Sequence, residues 1–317
     1  MTFSILIPAY KRSYLAEAVE SVLAQTCKDF ELIIVNDHSP EDLDSVVSPY
    51  LGDPRVRYYV NAKNCGAVDV VDNWNICLSH ASGDYVLCMG DDDRLLPNCL
   101  EEYSRMIAAY PGLGVYHAWT QIIDEHSAVI DMQEPRPLWE SVYSMIRERW
   151  RGRTQFIGDF LFDTALLKRN GGFYKIPLAW GSDDISTFIA AKDTGIANSQ
   201  VPLFQYRRST ITISRTGNVE MKLRSVDDYE RWCRQFLAQD PPSSASPTAL
   251  ILRQSCLALL AKTMAKKRAH EMANALRHSP LRWGFHFLLH RKRYHVRLPH
   301  ILYAAILAMK ENYSYNA

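Results

Sequence analysis

The sequence predicts an α/β fold in which a doubly wound, mostly parallel sheet is followed by a helical C-terminal region. Strand and helix patterns alternate within residues 3–90, which is the order that builds a parallel sheet covered by helices on both faces. The predicted strands are nearly continuous apolar runs, as expected for strands buried on both faces. Beyond Met221 the pattern becomes helical.

Four strands and three helices are expected in the first half of the chain. The apolar runs predict strands over 3–7, 31–35, 56–60 and 85–89. Apolar residues at helical spacing predict helices over 14–24, 42–50 and 68–80. In the less regular second half, strands are expected over 115–123 and 201–207 and helices over 139–150 and 184–193. A domain boundary is expected between 217 and 222.

Charge and cysteine usage restrict the cellular setting. Residues 1–100 carry 15 acids against 7 Lys and Arg, whereas residues 272–310 contain no Asp or Glu. Because the basic tail stands alone beside an acidic body, nucleic-acid binding is not expected. Seven scattered cysteines without a CxxC pair indicate a reducing, cytoplasmic compartment. A strand starting at the third residue argues against a signal peptide, and no apolar run approaches the roughly 20 residues that span a bilayer.

Three adjacent carboxylates, Asp91, Asp92 and Asp93, follow the strand over 85–89 directly. They repel one another, so a bound cation would stabilise them. Oxygen ligands favour Mg²⁺ or Mn²⁺, and such an ion could hold a diphosphate. The alternative is a solvated turn that caps the helix beginning near Pro97.

Polar clusters follow all four predicted strands of the first half. In a doubly wound sheet these loops converge on one edge, where a nucleotide fits. No GxGxxG motif follows the first strand and no GxxxxGK(S/T) motif occurs in the chain, which argues against a dinucleotide fold and a P-loop. The phosphates are therefore expected to be held through the metal.

These segments together resemble the inverting family 2 glycosyltransferases, which have the GT-A fold. The resemblance covers about residues 2–216 and rests on motifs in the family's order and spacing. The segments that carry it are 5–12 (ILIPAYKR), 21–26 (SVLAQT), 31–39 (ELIIVNDHS) and 81–87 (ASGDYVL), the last running into the acid triplet and Leu96-Pro97.

The resemblance implies a division of the GT-A domain, residues 1–220, into a nucleotide-binding half (1–97) and an acceptor-binding half (98–220), with 221–317 as a helical appendage. Asp37 would face the base, and Asp92 would be the direct ligand of Mg²⁺ or Mn²⁺, with Asp91 on the ribose or a metal-bound water. Gly90 and Asn36 stand where many members have an acid. The nucleotide-binding residues expected from the resemblance are Pro8, Ala9, Tyr10, Asp37, Asn64 and Asp91.

Residues 180–184 (WGSDD) stand where the family has its acceptor-site acids. By that resemblance Asp184 is the expected general base, which takes the proton of the acceptor hydroxyl, and Asp183 orients the substrate or shifts the pKa of the base. The alternative is that Ser182 or Asp183 only caps the helix that follows.

Further positions resemble the acceptor wall and the segment that closes over the diphosphate. Gly158 belongs to the wall, and Trp180 could stack on a sugar or simply belong to the core. Arg207 or Arg215 could make bidentate phosphate contacts, or either could be a solvated surface arginine.

The tail over 281–293 joins a broad apolar face to a cationic cluster. This combination suits a helix on the anionic inner face of a membrane, and a helix packed on the catalytic domain is the alternative.

The sequence therefore predicts a metal-dependent transferase that moves a sugar from a nucleotide-diphosphate sugar to a hydroxyl of a glycan or glycolipid, in the setting of bacterial surface polysaccharide synthesis. Two other functional hypotheses stay open. The protein could be a non-catalytic subunit that binds a nucleotide sugar, which would explain why Gly90 and Asn36 stand in place of the family's acids. A sugar nucleotidyltransferase should have a Gly-rich loop after the first strand, and this chain lacks one there.

Overall fold

A computed structural model describes residues 1–208, 218–241 and 245–314, with the side chains of 311–314 left undescribed. The strands in these residues are β1 (Phe3–Ala9), β2 (Phe30–Asn36), β3 (Val56–Val60), β4 (Tyr85–Cys88), β5 (Arg94–Leu95), β6 (Val115–Ile123), β7 (Val129–Met132), β8 (Trp139–Glu140), β9 (Phe160–Asp163) and β10 (Ile196–Arg207). The α-helices are α1 (Leu15–Leu23), α2 (Asp44–Val47), α3 (Val70–His80), α4 (Cys99–Ala109), α5 (Val142–Arg151), α6 (Thr164–Arg169), α7 (Ser182–Ala191), α8 (Val219–Ala238), α9 (Pro247–His278), α10 (Pro280–Leu289) and α11 (Leu298–Ser314). Short 3₁₀ turns cover Ser48–Tyr50, Ile157–Asp159 and Pro177–Ala179.

The strands form one mixed sheet with the order β3-β2-β1-β4-β9-β6-β10-β5. The first four strands of this order are parallel, which confirms the predicted α/β class. The strand β9 runs antiparallel to both β4 and β6, and so joins the parallel half to the second half of the sheet. The carboxyl ends of β1 to β4 therefore share one edge.

Two hydrophobic layers cover the sheet. One face is covered by α1, α2 and α4, whose buried residues include Val19, Val47 and Tyr103. The other is covered by α3, α5, α7, α8 and α9, with Trp74 and Phe188 in that layer. Burial on both faces is why the central strands are apolar almost throughout.

The first-half predictions match the structure to within a few residues, and the second half holds the differences. The two-residue strand β8 lies where a helix was expected from residue 139, because α5 begins only after its N-cap Ser141. The predicted strand over 201–207 begins five residues earlier in β10, at Ile196. No strand was expected over β9, whose four residues are too few for a periodicity to be recognised.

The helices beyond residue 220 do not form a single separate unit. Tyr229 and Phe236 of α8 and Met264 of α9 belong to the same hydrophobic layer as the sheet residues Val86 and Phe162. The last helices, α10 and α11, pack in a second cluster with the C-terminal half of α9 and with Leu223 of α8. Within the described ranges, none of the helices combines the length and apolar character that a bilayer crossing requires.

Candidate active site

At the carboxyl edge of the parallel strands, two loops are linked by hydrogen bonds from backbone N–H groups of one loop to a carboxylate of the other. Asp91 follows β4, and its Oδ2 accepts hydrogen bonds from the backbone N–H groups of Tyr10 (2.7 Å) and Lys11 (2.6 Å), which follow β1. Burial, opposed by Lys11, raises the pKa of Asp91 to about 6. The loops that were expected to meet at this edge do meet there.

The three acids of the triplet have different surroundings. Asp93 is buried and accepts from the backbone N–H groups of Gly90 (3.2 Å) and Arg207 (2.9 Å). Burial, reinforced by the charge of Asp92, raises its pKa well above the usual value. Asp92 keeps a partly accessible carboxylate that is paired with the ammonium group of Lys11. The same ammonium lies 3.7 Å from Oδ1 of Asp91.

A divalent ion fits this edge only with help from its substrate. In the described part of the chain, no group of three His, Cys, Asp or Glu side chains is arranged to hold a metal ion. The carboxylates of Asp91 and Asp93 accept backbone N–H groups, which leaves Asp92 as the accessible oxygen ligand. Mg²⁺ typically takes one or two carboxylates and completes its shell with phosphate oxygens and waters. The residues therefore fit an ion whose coordination shell is completed by the oxygens of a diphosphate.

Asp37, at the end of β2, organises the loop after β3. Its Oδ1 accepts from the side-chain amide of Asn61 (2.8 Å) and from the backbone N–H of Cys65 (3.0 Å). Asn64 donates its side-chain amide to the Asp37 carbonyl oxygen (2.6 Å). The backbone N–H of Asp37 donates to the carbonyl of Ala9, next to Pro8 in β1 (2.9 Å). These residues thus lie together beside the half-exposed Tyr10.

Arg207 has a structural role that the sequence did not reveal. Its guanidinium donates to the carbonyl oxygens of Asp92 (2.8 Å) and Asp124 (3.0 Å), to Ser127 Oγ (3.0 Å) and to Glu17 (2.9 Å), and its side chain is fully buried. The alternative of a solvated surface arginine is therefore wrong for Arg207, because the side chain is buried and each guanidinium nitrogen donates to a protein acceptor; a contact with the diphosphate stays a prediction. Arg215, the other arginine considered for this contact, lies outside the described residues.

The two acceptor-site acids are not equivalent. Asp184 has no exposed surface, and its oxygens accept from Arg149 (2.7 Å), Gln155 (2.7 Å) and Tyr229 (2.8 Å). Burial raises the pKa of Asp184, but the charges of Arg149 and Lys267 and the hydrogen bonds from Arg149 and Tyr229 outweigh burial and bring the pKa below its usual value.

Asp183 is partly exposed at the first turn of α7. Burial, followed by the negative charge of Asp184, raises the pKa of Asp183 to about 7. A carboxylate with that pKa can accept a proton near neutral pH, which is the property of a general base. Neither acid acts as a side-chain cap, because the N-cap of α7 is Gly181 and makes no side-chain capping bond.

The acceptor-site segment lies at the same edge as the triplet. The backbone N–H of Leu178 donates to the carbonyl of Val68, in the loop between β3 and α3 (2.9 Å). A second connection runs through Phe156, whose ring stacks on Tyr206 at 3.6 Å. Tyr206 precedes Arg207, whose backbone N–H donates to Asp93. Phe156 follows Gln155, whose side-chain amide donates to Asp184. The stacked rings therefore connect the two groups of acids.

Gly158 and Trp180 are both packed against protein. A Cβ at Gly158 would overlap the ring of Phe204, so this position requires glycine for packing. Trp180 packs against the large hydrophobic layer, and the ammonium of Lys222 lies 5.7 Å from its ring centroid. One face of the Trp180 ring therefore lies near the Lys222 ammonium, and stacking of Trp180 on a sugar stays a prediction.

Sequence reasoning missed three side chains that shape the site: Lys11, Arg149 and Tyr229. Lys11 follows the first motif directly, so its nearness to the triplet could have been predicted from the convergence of loops. Arg149 and Tyr229 reach Asp184 from residues 35 and 45 positions away in sequence, and no local pattern marks them.

A mixed α/β sheet whose parallel half carries an acid cluster at its carboxyl edge, with a second acid pair beside it, is the arrangement expected for the GT-A fold. The glycosyl transferase family 2 model matches residues 4–169, slightly more than half of the 317 residues. The chain belongs to glycosyltransferase family 2.

Relatives and solved structures agree with this assignment. The chain is 41% identical over 103 residues to the putative colanic acid biosynthesis glycosyl transferase WcaA of Escherichia coli, covering 32% of this chain and 36% of WcaA. It is 35% identical over 99 residues to the GalNAc(5)-diNAcBac-PP-undecaprenol beta-1,3-glucosyltransferase of Campylobacter jejuni, covering 31% of each. The chain spans about half or less of the length of the curated relatives it matches.

Among solved structures, S. aureus TarS 1–349 in complex with UDP-GlcNAc has a TM-score of 0.64 at 15% identity, over 99% of this chain and 92% of TarS 1–349. The mannosyltransferase PcManGT from Pyrobaculum calidifontis in complex with GDP-Man and Mn²⁺ has a TM-score of 0.52 at 16% identity, over 97% and 86%. At these identities the likeness establishes the GT-A fold of this chain.

The structural role of Arg207 predicts a loss of stability on Arg207→Lys. A lysine has donors on one nitrogen only and cannot reproduce the fork that reaches Asp92, Asp124 and Glu17, so we expect the free energy of unfolding to fall by about 2 kcal/mol. Urea denaturation measures this. The matched control is Arg208→Lys, a half-exposed neighbour that should change stability by less than about 0.5 kcal/mol. Equal stability of both variants would contradict the structural role.

Proposed function

We propose that this family 2 enzyme is an inverting glycosyltransferase that moves a sugar from a nucleotide-diphosphate sugar to a hydroxyl of a lipid-linked or polysaccharide acceptor. The observation that supports it most is the pairing of two different acids at one sheet edge. Asp92 offers an accessible oxygen ligand, and Asp183 offers a carboxyl group with a pKa of about 7.

The donor is proposed to lie along the loops after β1, β2 and β3. Asp37 holds the loop over 61–66 through bonds from Asn61 and Cys65 to its carboxylate. The part of the carboxylate that these bonds do not occupy would contact the base. Tyr10 would cover the nucleoside from its half-exposed position. The diphosphate would then reach Asp92 and Lys11, so a cationic side chain of the chain lies where negative charge arrives. A divalent ion, when bound by Asp92 and the phosphate oxygens, would neutralise further charge on the leaving group.

We propose Asp183 as the general base and Asp184 as the residue that positions it, which reverses the roles suggested by the resemblance. The carboxylate of Asp184 is enclosed by Arg149, Gln155 and Tyr229 and has no access to an acceptor. Burial raises the pKa of Asp183, and the negative charge of Asp184 raises it further, while Asp183 stays partly exposed. Asp184 therefore changes the pKa of Asp183 without contacting the acceptor.

The reaction follows from these placements. The acceptor hydroxyl oxygen attacks the anomeric carbon from the side opposite the diphosphate and forms the new glycosidic bond. The bond between the anomeric carbon and the diphosphate oxygen breaks, and the nucleoside diphosphate leaves with the electron pair. Asp183 takes the hydroxyl proton, so configuration inverts in a single displacement.

The proposed setting is the inner face of a membrane, where a lipid-linked acceptor would be presented. The similarity to a relative named for an undecaprenol-linked substrate and to one named for colanic acid biosynthesis supports this class of acceptor.

The proposed roles predict opposite outcomes for Asp183→Asn and Asp184→Asn. Loss of the base should lower kcat by at least about 100-fold, and the free energy of unfolding should not fall, because the raised pKa of Asp183 means that its charged form disfavours the folded state. Asp184→Asn leaves Arg149 without its buried counter-charge and should cost about 3 kcal/mol of stability. Turnover assays and urea denaturation of both variants give the comparison. An Asp183→Asn variant with normal turnover would refute the assignment.

The pH dependence tests the same assignment independently. The base must be ionised to accept a proton, so kcat/KM should rise with pH through about 7, the pKa of Asp183, and level off above it. If Asp184 were the base, its lowered pKa would leave the profile flat over about pH 5 to 8. Neutralising Asp184 removes a charge that raises the pKa of Asp183, so in a folded Asp184→Asn variant the rise should shift to lower pH.

The donor and the metal can be tested in one experiment. A panel of nucleotide sugars is incubated with the enzyme, with and without chelator, and free nucleoside diphosphate is measured. One donor should be consumed, metal should accelerate the reaction, and Asp92→Asn should abolish the acceleration because the accessible carboxylate is lost. Metal acceleration that survives in Asp92→Asn would exclude this residue as the ligand. Release from none of the donors, with or without acceptors, would favour a non-catalytic subunit.

A further inference from the structure

The last two helices each bury one face and expose the other. On the inner side, Phe287 of α10 and Ala304 and Ala308 of α11 pack into a cluster with Met272 and Leu276 of α9. The opposite face of α10 carries Leu281, Phe285 and Leu289, which are 91%, 66% and 64% exposed. Their spacing of four residues places them on one side of the helix.

The helix α11 repeats this arrangement. Its exposed apolar side chains are Leu298, Leu302, Ile306 and Met309, again at helical spacing. The inner faces of α10 and α11 pack in one cluster, so the two helices are neighbours. Folded proteins rarely leave contiguous apolar area of this kind in water unless it contacts a partner. We define the α10–α11 surface as the exposed side chains of Leu281, Phe285, Leu288, Leu289, Leu298, Leu302, Ile306 and Met309, together with Arg282, Arg291, Lys292 and Arg297.

The charged side chains of this segment are basic up to Lys310, and the first acid after them is Glu311. Residues 272–310 contain seven Lys and Arg and no Asp or Glu. Arg291 and Lys292 are exposed in the turn after α10, and neither forms an ion pair within the described part of the chain. Arg293, by contrast, is paired with Glu220 of α8 (3.0 Å). The free cations are therefore concentrated beside the exposed apolar faces.

We propose that the α10–α11 surface binds the anionic surface of a lipid bilayer. Leucine and phenylalanine side chains would enter the boundary between headgroups and acyl chains, while arginine and lysine contact lipid phosphates. A second copy of the chain fits less well, because a symmetric interface would bring the same cations face to face without acids to balance them. The setting rests on the proposed function, since a lipid-linked acceptor requires an enzyme held at the membrane.

Vesicle flotation of the full chain tests the proposal without any donor or acceptor. We expect binding to phosphatidylcholine vesicles that contain phosphatidylglycerol and little binding to phosphatidylcholine alone, with the difference reduced by salt. Arg291→Gln with Lys292→Gln should lower partitioning to the anionic vesicles about 30-fold, since each basic residue contributes about 1 kcal/mol near such a surface. Phe285→Ser with Leu289→Ser should lower it at least about tenfold.

The matched control is Ile251→Ser, which removes an apolar side chain of similar size that is 69% exposed near the start of α9, away from this surface. It should bind vesicles like the unaltered protein. All of these positions are exposed, so urea denaturation should show unchanged stability. The proposal is overturned if neither vesicle binds the protein, if both bind it equally, or if Phe285→Ser with Leu289→Ser binds normally.

Two further measurements separate this surface from its rivals. If sedimentation shows a dimer that the Phe285→Ser with Leu289→Ser variant loses, the surface is a self-association face and the membrane proposal fails. Release of nucleoside diphosphate with a soluble acceptor should be unaffected in both surface variants. Vesicle binding without any transferase activity would support the surface and count against the proposed function.

Discussion

The carboxyl edge of the parallel strands depends on a carboxylate, Asp91, that ties two loops together. Asp91 accepts the backbone N–H groups of Tyr10 and Lys11 and so fixes the end of β1 against the end of β4. A side chain with two strong acceptor oxygens is suited to this, because buried N–H groups without partners are costly. The tie also delivers Lys11 to Asp92, so the backbone contact and the charge pairing depend on each other.

The second half of the site depends on another buried carboxylate with a different set of partners. Asp184 is held by charged and polar side chains from α5, α8 and the loop after α5 rather than by backbone groups. Breaking such an arrangement leaves charges without partners in the interior. The helices α8 and α9 are therefore part of the same packed unit as the sheet, since Tyr229 and Lys267 both act on this acid.

The comparison of sequence and structure separates what local pattern can reveal from what it cannot. The strands β1 to β4 and the acid triplet could be predicted, because uninterrupted apolar runs and the loops after them carry that information in neighbouring residues. The exposure of Asp183 relative to Asp184 could not, because it depends on Arg149 and Tyr229, which approach from elements distant in sequence. The burial of Arg207 is similar: its partners Glu17 and Asp124 lie 190 and 83 positions away. Family resemblance locates a site, whereas the division of roles within it depends on tertiary contacts.

The difference between the two acid groups has a physical cause that links fold and chemistry. Adjacent carboxylates cannot all be ionised in a buried place unless compensating charge is near, so each group must either take up a proton or obtain a cation. At the triplet the compensation is the ammonium of Lys11, whose side chain is 35% exposed and which is paired with Asp92. At the acceptor side it is Arg149, fixed by a second bond to the Arg153 carbonyl oxygen (3.0 Å). The two acid groups therefore differ in how their counter-charge is held: Lys11 is partly exposed to solvent, whereas Arg149 is held at both Asp184 and the Arg153 carbonyl oxygen.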